Sequence, residues 1–522
     1  MSGMFDAKPD KAKRKIERSI KEKRAKKKSK NITIIVMVVF ILLFITAMIL
    51  NSGWIRRTLP VVTIEGVSFT TAEFEYFFNS QYMEYMNMLQ QFQGMGGSGP
   101  DQSRPLASQI YNRETGETWA DIISSFAYQR MQTLVGLYNA ASEYGFELNE
   151  EHHERIRNEL LMVELEAAVY DLPSADNLLQ RMYGNSLNMN AFKKLMEFIA
   201  TAEEYSEHIR KSFTYTDDQL DEFYAENADD LDIITYRVLT VTGDLPDQSE
   251  ENYEEKLAEA VAEAQALARN IAAGITTEDE FITAALEYNE NIFSNPNSTI
   301  REVQGERIEE LYSAWLLNSS IRYGDVEVFD TERGAAILMF VSRNDNNYQI
   351  ASMRQIVVIP ETVSPEDYPD GENDPGYILA LNEARINAEA RAQHLYELFE
   401  AAGSTEEAML ELIEEHSEDD TTEGILFDMI SKFPYQGADF RVVKVVPEVE
   451  EWLFEEERKS VDSKLIESEL QGFHIVYFVE YGKVFSHIIA EDRMRTAAHN
   501  DFLDSLTVGE PVKHIAFFLV SM

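Results

Sequence analysis

The strongest constraint on the fold is an internal repeat, because one order of elements is written twice in the second half of the chain. The first copy opens with "DIITYRVLTV" (232–241) and closes with "RGAAILMFVSRND" (333–345). The second opens with "ASMRQIVVIP" (351–360) and closes with "QGFHIVYFVEYG" (471–482). The apolar, β-branched composition of all four stretches predicts strands, and a glycine leads each closing strand.

Between its two strands, each copy carries helical patterns in the same order. A long Ala-rich helix is followed by a glycine and a second helix with a Thr or Ser cap, and a third helix contains Trp315 or Trp452. We therefore predict two small α+β units in tandem, each with its first and last strands adjacent.

The stretch from residue 58 to 230 is predicted to be mostly helical. Thr70 with Glu73, and Thr216 with Gln219, have the spacing of capping boxes at helix starts. Apolar side chains recur at helical spacing between them, as in a packed helical domain.

The N-terminus predicts a membrane anchor. Residues 1–31 hold thirteen Lys/Arg against four acids, and residues 32–50 form a run of nineteen residues without a charge. Such a run just spans a hydrocarbon core of about 30 Å, and the basic flank favours an N-terminus in the cytoplasm. We expect a single-pass protein of the cytoplasmic membrane with the bulk of the chain extracytoplasmic or periplasmic. A cleaved signal peptide is the less favoured alternative, since "NSGW" after the run is not a small-x-small cleavage site.

Composition narrows the possible partners. The formal net charge of −46 disfavours nucleic acid, whose phosphates such a surface would repel. Cysteine is absent, so thiol catalysis, thiolate metal sites and disulfides are excluded. "EEHHER" (150–155) suggests a metal site, but no further ligand recurs one turn along the helix, and an exposed helix start is the better interpretation. We predict no metal and no cofactor.

Several short stretches together resemble the parvulin domain of peptidyl-prolyl isomerases. In the second copy, "HSEDDTTEGILFDMISK" (416–432), "VVPEVEEWLF" (445–454) and "QGFHIVYF" (471–478) follow the order of that family. The flanking "TIEGVSFTTAEF" and "YTDDQLDEFYAEN" are similar to the start and end of the helical chaperone domain of SurA-, PrsA- and PpiD-type exported foldases. The C-terminal "HNDFLDSLTVGEPVKHI" (499–515) is similar to the segment that returns to that domain.

The resemblance implies a division of the chain into successive segments. We expect an α+β multidomain protein with a basic tail (1–31), a transmembrane helix (32–50), a SurA-like helical chaperone domain (58–230), a degenerate parvulin-like domain (231–348), a second parvulin-like domain (349–483) and a returning C-terminal segment (484–522).

The resemblance also implies a candidate site in the second copy. His474 matches the histidine that the family carries on its last strand in a buried polar network, and Asp419 matches the family's acidic or cysteine position. Gln355 stands where parvulins have a histidine on the first strand. The proline pocket is expected at Val445, Val449 and Phe427, where the valines replace larger side chains. A lone histidine on an apolar strand is also commonly a hydrogen-bonded core residue, and this alternative stays open.

The first copy departs further from the parvulin pattern. Arg237, Asn291, Leu311 and Ala336 are predicted at the corresponding positions, so neither histidine is present and this copy is expected to be catalytically silent.

Two functions follow from the resemblance. The first is a membrane-anchored chaperone or foldase that binds unfolded or partly folded exported proteins, with the parvulin-like units as binding modules. The second is an active prolyl isomerase through the second copy. An X–Pro bond crosses a barrier of about 18–20 kcal/mol, and a site that desolvates and twists the imide lowers it without covalent chemistry. The substitutions at the expected pocket favour the first function.

Overall fold

The fold is that of a computed structural model of the 522-residue chain. It describes residues 36–41, 54–91, 99–244, 246–247, 252–416, 426–435, 437–438, 441–455, 457–469, 471–506 and 508–514. The architecture is α+β, and the described residues contain three antiparallel sheets. They fall into two compact units: unit 1 within Met1–Phe213 and Ala498–Met522, and unit 2 within Thr214–Ala497.

Unit 1 is a helical body with one small sheet. Its helices are α1 (Trp54–Thr58), α2 (Thr71–Gln91), α3 (Trp119–Tyr144), α4 (Glu150–Val169), α5 (Ala175–Tyr183) and α6 (Met189–Ser212). The sheet has the order β11–β1–β2, formed by β1 (Pro60–Ile64), β2 (Val67–Thr70) and β11 (Val512–Lys513). Apolar faces of α2, α3 and α6 meet in a core that includes Phe77, Met131, Leu134 and Phe192.

Helix starts in both units follow the predicted capping chemistry. The carboxylate of Glu73 accepts hydrogen bonds from the backbone N–H and hydroxyl of Thr70, and the Glu73 N–H donates back to that hydroxyl. Thr216 and Gln219 form the same reciprocal pair at the start of α7 (Asp217–Glu226). Both capping boxes are confirmed, and each satisfies N–H groups that the first helical turn leaves unbonded.

The first repeat (residues 233–344) in unit 2 is a four-stranded sheet covered by helices. Its strands are β3 (Ile233–Thr242), β4 (Ile300–Gln304), β5 (Val326–Thr331) and β6 (Gly334–Asn344), in the order β4–β3–β6–β5. After α8 (Ala228–Leu231), its helices are α9 (Tyr253–Ala272), α10 (Glu278–Tyr288), α11 (Glu290–Phe293) and α12 (Glu310–Leu316).

The second repeat (residues 349–484) has the same plan. Its strands are β7 (Gln349–Val358), β8 (Phe427–Ile430), β9 (Ser463–Ser468) and β10 (Gly472–Val484), in the order β8–β7–β10–β9. Its helices are α13 (Pro375–Ala401), α14 (Glu406–His416) and α15 (Pro447–Glu455), after which α16 (Phe485–Ser505) follows. First and last strands pair directly in both repeats, as predicted.

The predicted membrane span is contradicted. Residues 36–41 are helical, and the rest of 32–50, like the basic tail 1–31, lies outside the described residues. A helix needs about 20 apolar residues to cross a bilayer. Among the described residues, no helix combines that length with that apolarity. The prediction of a transmembrane helix, and with it the single-pass placement in the cytoplasmic membrane with an extracytoplasmic bulk, is therefore wrong.

Candidate functional site

The candidate site lies on one face of the sheet of the second repeat. Successive side chains of a strand point to opposite faces. Phe473, Ile475 and Tyr477 pack with α13 and α14 on one face of β10. His474 takes the alternate parity with Val476 and Phe478, whose cluster includes residues of α15. The histidine is therefore built into the layer between the sheet and α15.

His474 and Gln355 form a buried polar pair in this layer. The Nδ1 atom of His474 lies 3.1 Å from the Oε1 atom of Gln355. Since an amide oxygen can only accept, the ring donates through Nδ1–H and keeps Nε2 as an acceptor. The two residues are 2% and 8% exposed. The pair therefore lies inside the fold, away from any solvent-borne substrate.

Burial favours the neutral form of this histidine. Burial lowers the pKa of His474 below 6.5, and the nearby Glu448 carboxylate opposes that shift. A hydrogen bond from the Glu469 N–H, at 3.0 Å from Oε1, is the main cause that lowers the pKa of Glu448. Within the described part of the chain, His474 Nε2 and Glu448 Oε2 are both buried without a hydrogen-bond partner.

Glu448 was not predicted as part of the site. It follows Pro447, the first residue of α15, so a proline–glutamate pair marks the start of a helix. That pattern locates the carboxylate at a helix N-terminus. It does not reveal that the helix lies over the histidine.

The three predicted pocket residues belong to the same apolar cluster as Val476 and Phe478. Val449 is completely buried, whereas Phe427 and Val445 are partly buried and pack against the cluster. Five of the six predicted site residues therefore share one sheet face, while Asp419 lies outside the described residues. Their role in binding or catalysis stays a prediction.

Strand register corrects the predicted equivalence between the repeats. In the first repeat Arg237 pairs with Met339, which lies five residues after Gly334. In the second repeat Arg354 pairs with Tyr477, which lies five residues after Gly472. Arg237 therefore corresponds to Arg354. Val238 is then the counterpart of Gln355, and the prediction that Arg237 holds that place is wrong by one residue.

The two corresponding arginines form equivalent ion pairs. Arg237 Nε lies 2.8 Å from Glu278, and Arg354 Nε lies 2.7 Å from Glu406, each glutamate being the first residue of the repeat's second helix. Both arginines join the first strand of a repeat to that helix.

Where the second repeat has its polar pair, the first has apolar side chains. Ala336 lies two residues after Gly334, as His474 lies two residues after Gly472, and it is fully buried. Val238, the counterpart of Gln355, packs in the same cluster as Ala336. Of the other two predicted positions, Leu311 is 48% exposed on α12 and Asn291 is exposed on α11.

The histidines of "EEHHER" have no metal-site geometry. Asn149 and His152 form a capping box at the start of α4, which uses Nδ1 of the histidine. No group of three or more His, Asp or Glu side chains among the described residues is arranged to hold a metal ion.

Comparisons with known proteins give a distant likeness. No family model and no curated protein matches the chain. Among solved structures, peptidylprolyl isomerase PrsA from Bacillus anthracis has a TM-score of 0.21 at 10% identity, over 50% of this chain and 87% of that chain. PrsA from Bacillus subtilis has a TM-score of 0.15 at 13% identity, over 62% of this chain and 99% of that chain. At such low TM-scores the likeness carries no argument about the activity of this chain.

Proposed function

We propose that the chain is a chaperone of the foldase type, which binds unfolded or partly folded proteins through exposed apolar surface. One observation carries the proposal. Leu161, Met162, Leu165 and Val169, on one side of α4, are 50%, 61%, 51% and 79% exposed. Their spacing places them within an arc of about 100°, which is the width of a face that helices normally bury against a core.

This apolar stripe (Leu161, Met162, Leu165 and Val169) has the chemistry of a client surface. A contiguous apolar patch on a folded protein commonly marks an interaction site, and an unfolded client exposes the apolar side chains that such a patch can cover. Methionine suits varied clients because its unbranched side chain adapts its shape. Acidic residues on the same helix, such as Glu154 and Glu164, keep the surroundings of the stripe hydrated.

A second stripe of the same kind lies in the second repeat. Ile378, Leu379 and Ile386 on α13 are 50%, 60% and 62% exposed. Two apolar stripes on different helices fit a protein that holds a long client segment at more than one point, which raises the overall affinity.

Prolyl isomerisation is the second candidate function. One observation favours it: the second repeat has a buried polar pair with an unused ring nitrogen. Since the first repeat has apolar side chains at the corresponding positions, the fold alone does not require that pair. The 2% exposure of His474 and the complete burial of Val449 weigh against it, because a catalytic residue must reach the substrate. We therefore propose that the second repeat acts as a binding module.

Removal of the stripe on α4 tests the proposal. We expect Leu161→Ser/Leu165→Ser/Val169→Ser to lose most of the ability of the wild type to suppress aggregation of chemically unfolded citrate synthase, measured by light scattering. The control, Ile292→Ser/Leu311→Ser/Tyr323→Ser, changes three side chains that are 61%, 48% and 60% exposed in unit 2. Equal suppression by the two variants, at unchanged melting temperatures, would contradict the proposal.

A further inference from the structure

A cleft between the two repeats of unit 2 has features of a peptide site. The inter-repeat cleft is lined by Glu302–Gln304 and Arg307 of the first repeat, and by Phe433–Tyr435 and 441–444 of the second. Its volume is about 870 Å³. Pockets that enclose ligands commonly measure about 300–1,000 Å³.

One wall of the cleft is an open strand edge. β4 is the outermost strand of its sheet and, among the described residues, pairs only with β3. Consecutive residues Glu302, Val303 and Gln304 all line the cleft, although successive side chains of a strand point to opposite faces. The cleft therefore runs along the edge of β4 and not over either face of the sheet.

Backbone groups at this edge are directed outward. Gly305 donates its N–H to Asp232 O, which makes this a hydrogen-bonded pair of the antiparallel ladder. Such pairs alternate along a strand, so Val303 also bonds to β3 while Glu302 and Gln304 direct their N–H and C=O groups away from it. An extended peptide can take up these groups as an added strand.

The opposite wall combines apolar side chains with Arg441 and Lys444, and it is fixed in place. The N–H of Val443 donates to Met429 O and its C=O accepts from the Ser431 N–H, so this segment is held on its other side by the end of β8. Tyr435 donates its hydroxyl to Asp492, at 3.1 Å from Oδ2, and the same carboxylate accepts the Ala438 N–H at 3.0 Å. The preformed wall gives alternate side chains of a bound strand an apolar surface.

Charge at the cleft is opposite to that of the whole chain. Of its four charged lining residues, Arg307, Arg441 and Lys444 are cationic and Glu302 is anionic. Lys444 pairs with Glu302 at 3.5 Å, whereas the two arginines have no ion-pair partner among the residues that the structure describes. The chain as a whole has 46 basic and 92 acidic residues. Two free guanidinium groups on an otherwise acidic protein select for carboxylates, which arginine binds with paired hydrogen bonds.

A buried donor in the cleft lacks a partner. Gln304 is 5% exposed, and its Nε2 atom makes no hydrogen bond within the described residues. A buried amide N–H without an acceptor costs free energy, and a carbonyl or carboxylate oxygen of a ligand would remove that cost.

We propose that the inter-repeat cleft binds an extended peptide segment with carboxylate side chains, added as a strand to the open edge of β4. The segment belongs to a client, so this inference rests on the proposed chaperone function. The cleft selects by backbone and charge, whereas the stripe on α4 selects by apolar surface. The two sites can therefore be tested separately.

Binding of defined peptides to the full chain tests the charge selection. The probe is an end-capped octapeptide of alternating Thr and Val with two Glu, carrying a neutral dye. Its partners replace both Glu with Lys or with Gln. By fluorescence anisotropy we expect the Glu peptide to bind at least about tenfold more tightly than the Lys peptide, since charge-assisted hydrogen bonds are the stronger kind. Equal affinity of the three peptides would overturn the proposal.

Charge reversal of the cleft locates the site. We expect Arg307→Glu/Arg441→Glu to weaken the Glu peptide at least about tenfold and to favour the Lys peptide. The control, Arg333→Glu, reverses an exposed arginine in the β5–β6 turn and should leave both affinities unchanged. Unchanged binding by the double variant would overturn the assignment. If that variant does not fold, the comparison of the three peptides on the wild type still tests whether the protein selects carboxylates.

Two further arms separate the peptide from other ligands and from the stripe. Displacement of the Glu peptide by millimolar inorganic phosphate at constant ionic strength would make this a site for free anions and overturn the proposal. Compared with Glu302→Ala, which removes the same carboxylate, Glu302→Pro also removes an outward N–H of β4 and should weaken the peptide at an unchanged melting temperature. Equal binding by these two variants would overturn the added strand. The α4 stripe variant should bind the Glu peptide as tightly as the wild type does. A wrong chaperone proposal would therefore show in the aggregation assay, and a wrong cleft assignment would show in the peptide-binding assay.

Discussion

At the scale of single residues, the two repeats fill equivalent buried positions with different side chains. The second repeat places Gln355 against His474, and the first places Val238 with Ala336 at the corresponding positions. A sheet of the same order forms in both cases, so the fold itself does not need a polar pair there. The hydrogen bond instead makes each partner dependent on the other, because either one alone would be a buried polar group without a partner.

The first prediction follows from that dependence. We expect His474→Ala to lower the free energy of unfolding by about 1–3 kcal/mol, because it leaves the Gln355 amide buried and unpaired. Gln355→Val/His474→Ala installs the apolar pair of the first repeat and should recover at least about 1 kcal/mol of that loss. Denaturant unfolding followed by the fluorescence of Trp452, which packs in the cluster of Val476, measures both.

The same variants address catalysis. Isomerisation of a proline tetrapeptide should proceed at the same rate with both variants as with the wild type. A rate lost in both variants, with stability recovered in the double variant, would show that the pair is catalytic and that the second repeat is an isomerase.

Sequence reasoning reached part of this site. The resemblance to parvulins implied a buried polar network at His474, and a hydrogen-bonded core histidine was the alternative. The bond of His474 to Gln355 was not predicted. The correspondence of Arg237 was missed by one residue because two strands of similar composition can be aligned in either register. A slip of one residue moves a side chain to the other face of the sheet. Only the pairing of the strands fixes that choice.

At the scale of elements, the last strand of each repeat begins with a glycine whose replacement would strain the backbone. Gly334 and Gly472 have φ angles of +153° and +93°. A Cβ atom would lie 2.1 Å from the carbonyl oxygen of Val241 at the first glycine and 2.6 Å from that of Val358 at the second. Both glycines therefore allow the last strand to start directly against the end of the first.

The second prediction compares three glycines. Gly472→Ala should cost about 3 kcal/mol or more, because it adds a backbone clash to a left-handed conformation. Gly403, with a φ angle of +98° and no described atom within 4 Å of an added Cβ, should cost only about 1–2 kcal/mol as alanine. Gly274→Ala, where φ is not positive and the nearest atom is 3.6 Å away, should be neutral or slightly stabilising. Denaturation midpoints give the order, and an equal cost at all three would contradict the role of the clash.

The sequence was informative for some elements and not for others. The capping boxes and the paired first and last strands were predicted because each rests on local spacing or on a long apolar run. β4, β5, β8 and β9 were not predicted, since they are short edge strands and several carry charges, as in "IREVQ". The membrane span was predicted from a long uncharged run beside a basic flank, and no described helix combines that length with that apolarity.

At the scale of the molecule, unit 1 is assembled from two distant parts of the chain. Phe502, Leu503, Leu506 and Val508 pack against its core. β11 pairs with β1, and the His514 N–H donates to Val61 O at 2.9 Å. The N-terminal helices are therefore completed by residues that lie more than 280 positions later in the chain than Ser212, the last residue of α6.

The third prediction removes that contribution. Truncation after residue 497 should destabilise unit 1 by on the order of 5 kcal/mol, because the apolar contacts and the strand β11 are lost together. Calorimetry should show a lower melting temperature for one transition, with the fluorescence of Trp119 in unit 1 as its local reporter. Truncation after His514 retains all of these contacts and serves as the control. An equal melting temperature for the two truncations would show that the C-terminal segment does not stabilise the unit.

Because first strands pair with last strands, each first strand is synthesised well before its partner. The partners lie about 100 residues apart, so at about 5–20 residues per second each first strand waits on the order of ten seconds on the ribosome for its partner. β7 leaves the ribosome immediately after β6, while β10 does not yet exist. In a finished first repeat, β3 and β5 cover both edges of β6. Within the part of the chain that the structure describes, the outer edges of β4 and β5 are then the ones left to pair with the waiting strand. We therefore expect exchange of strands between the repeats to be the main misfolding route, and rapid completion of the first sheet to protect against it.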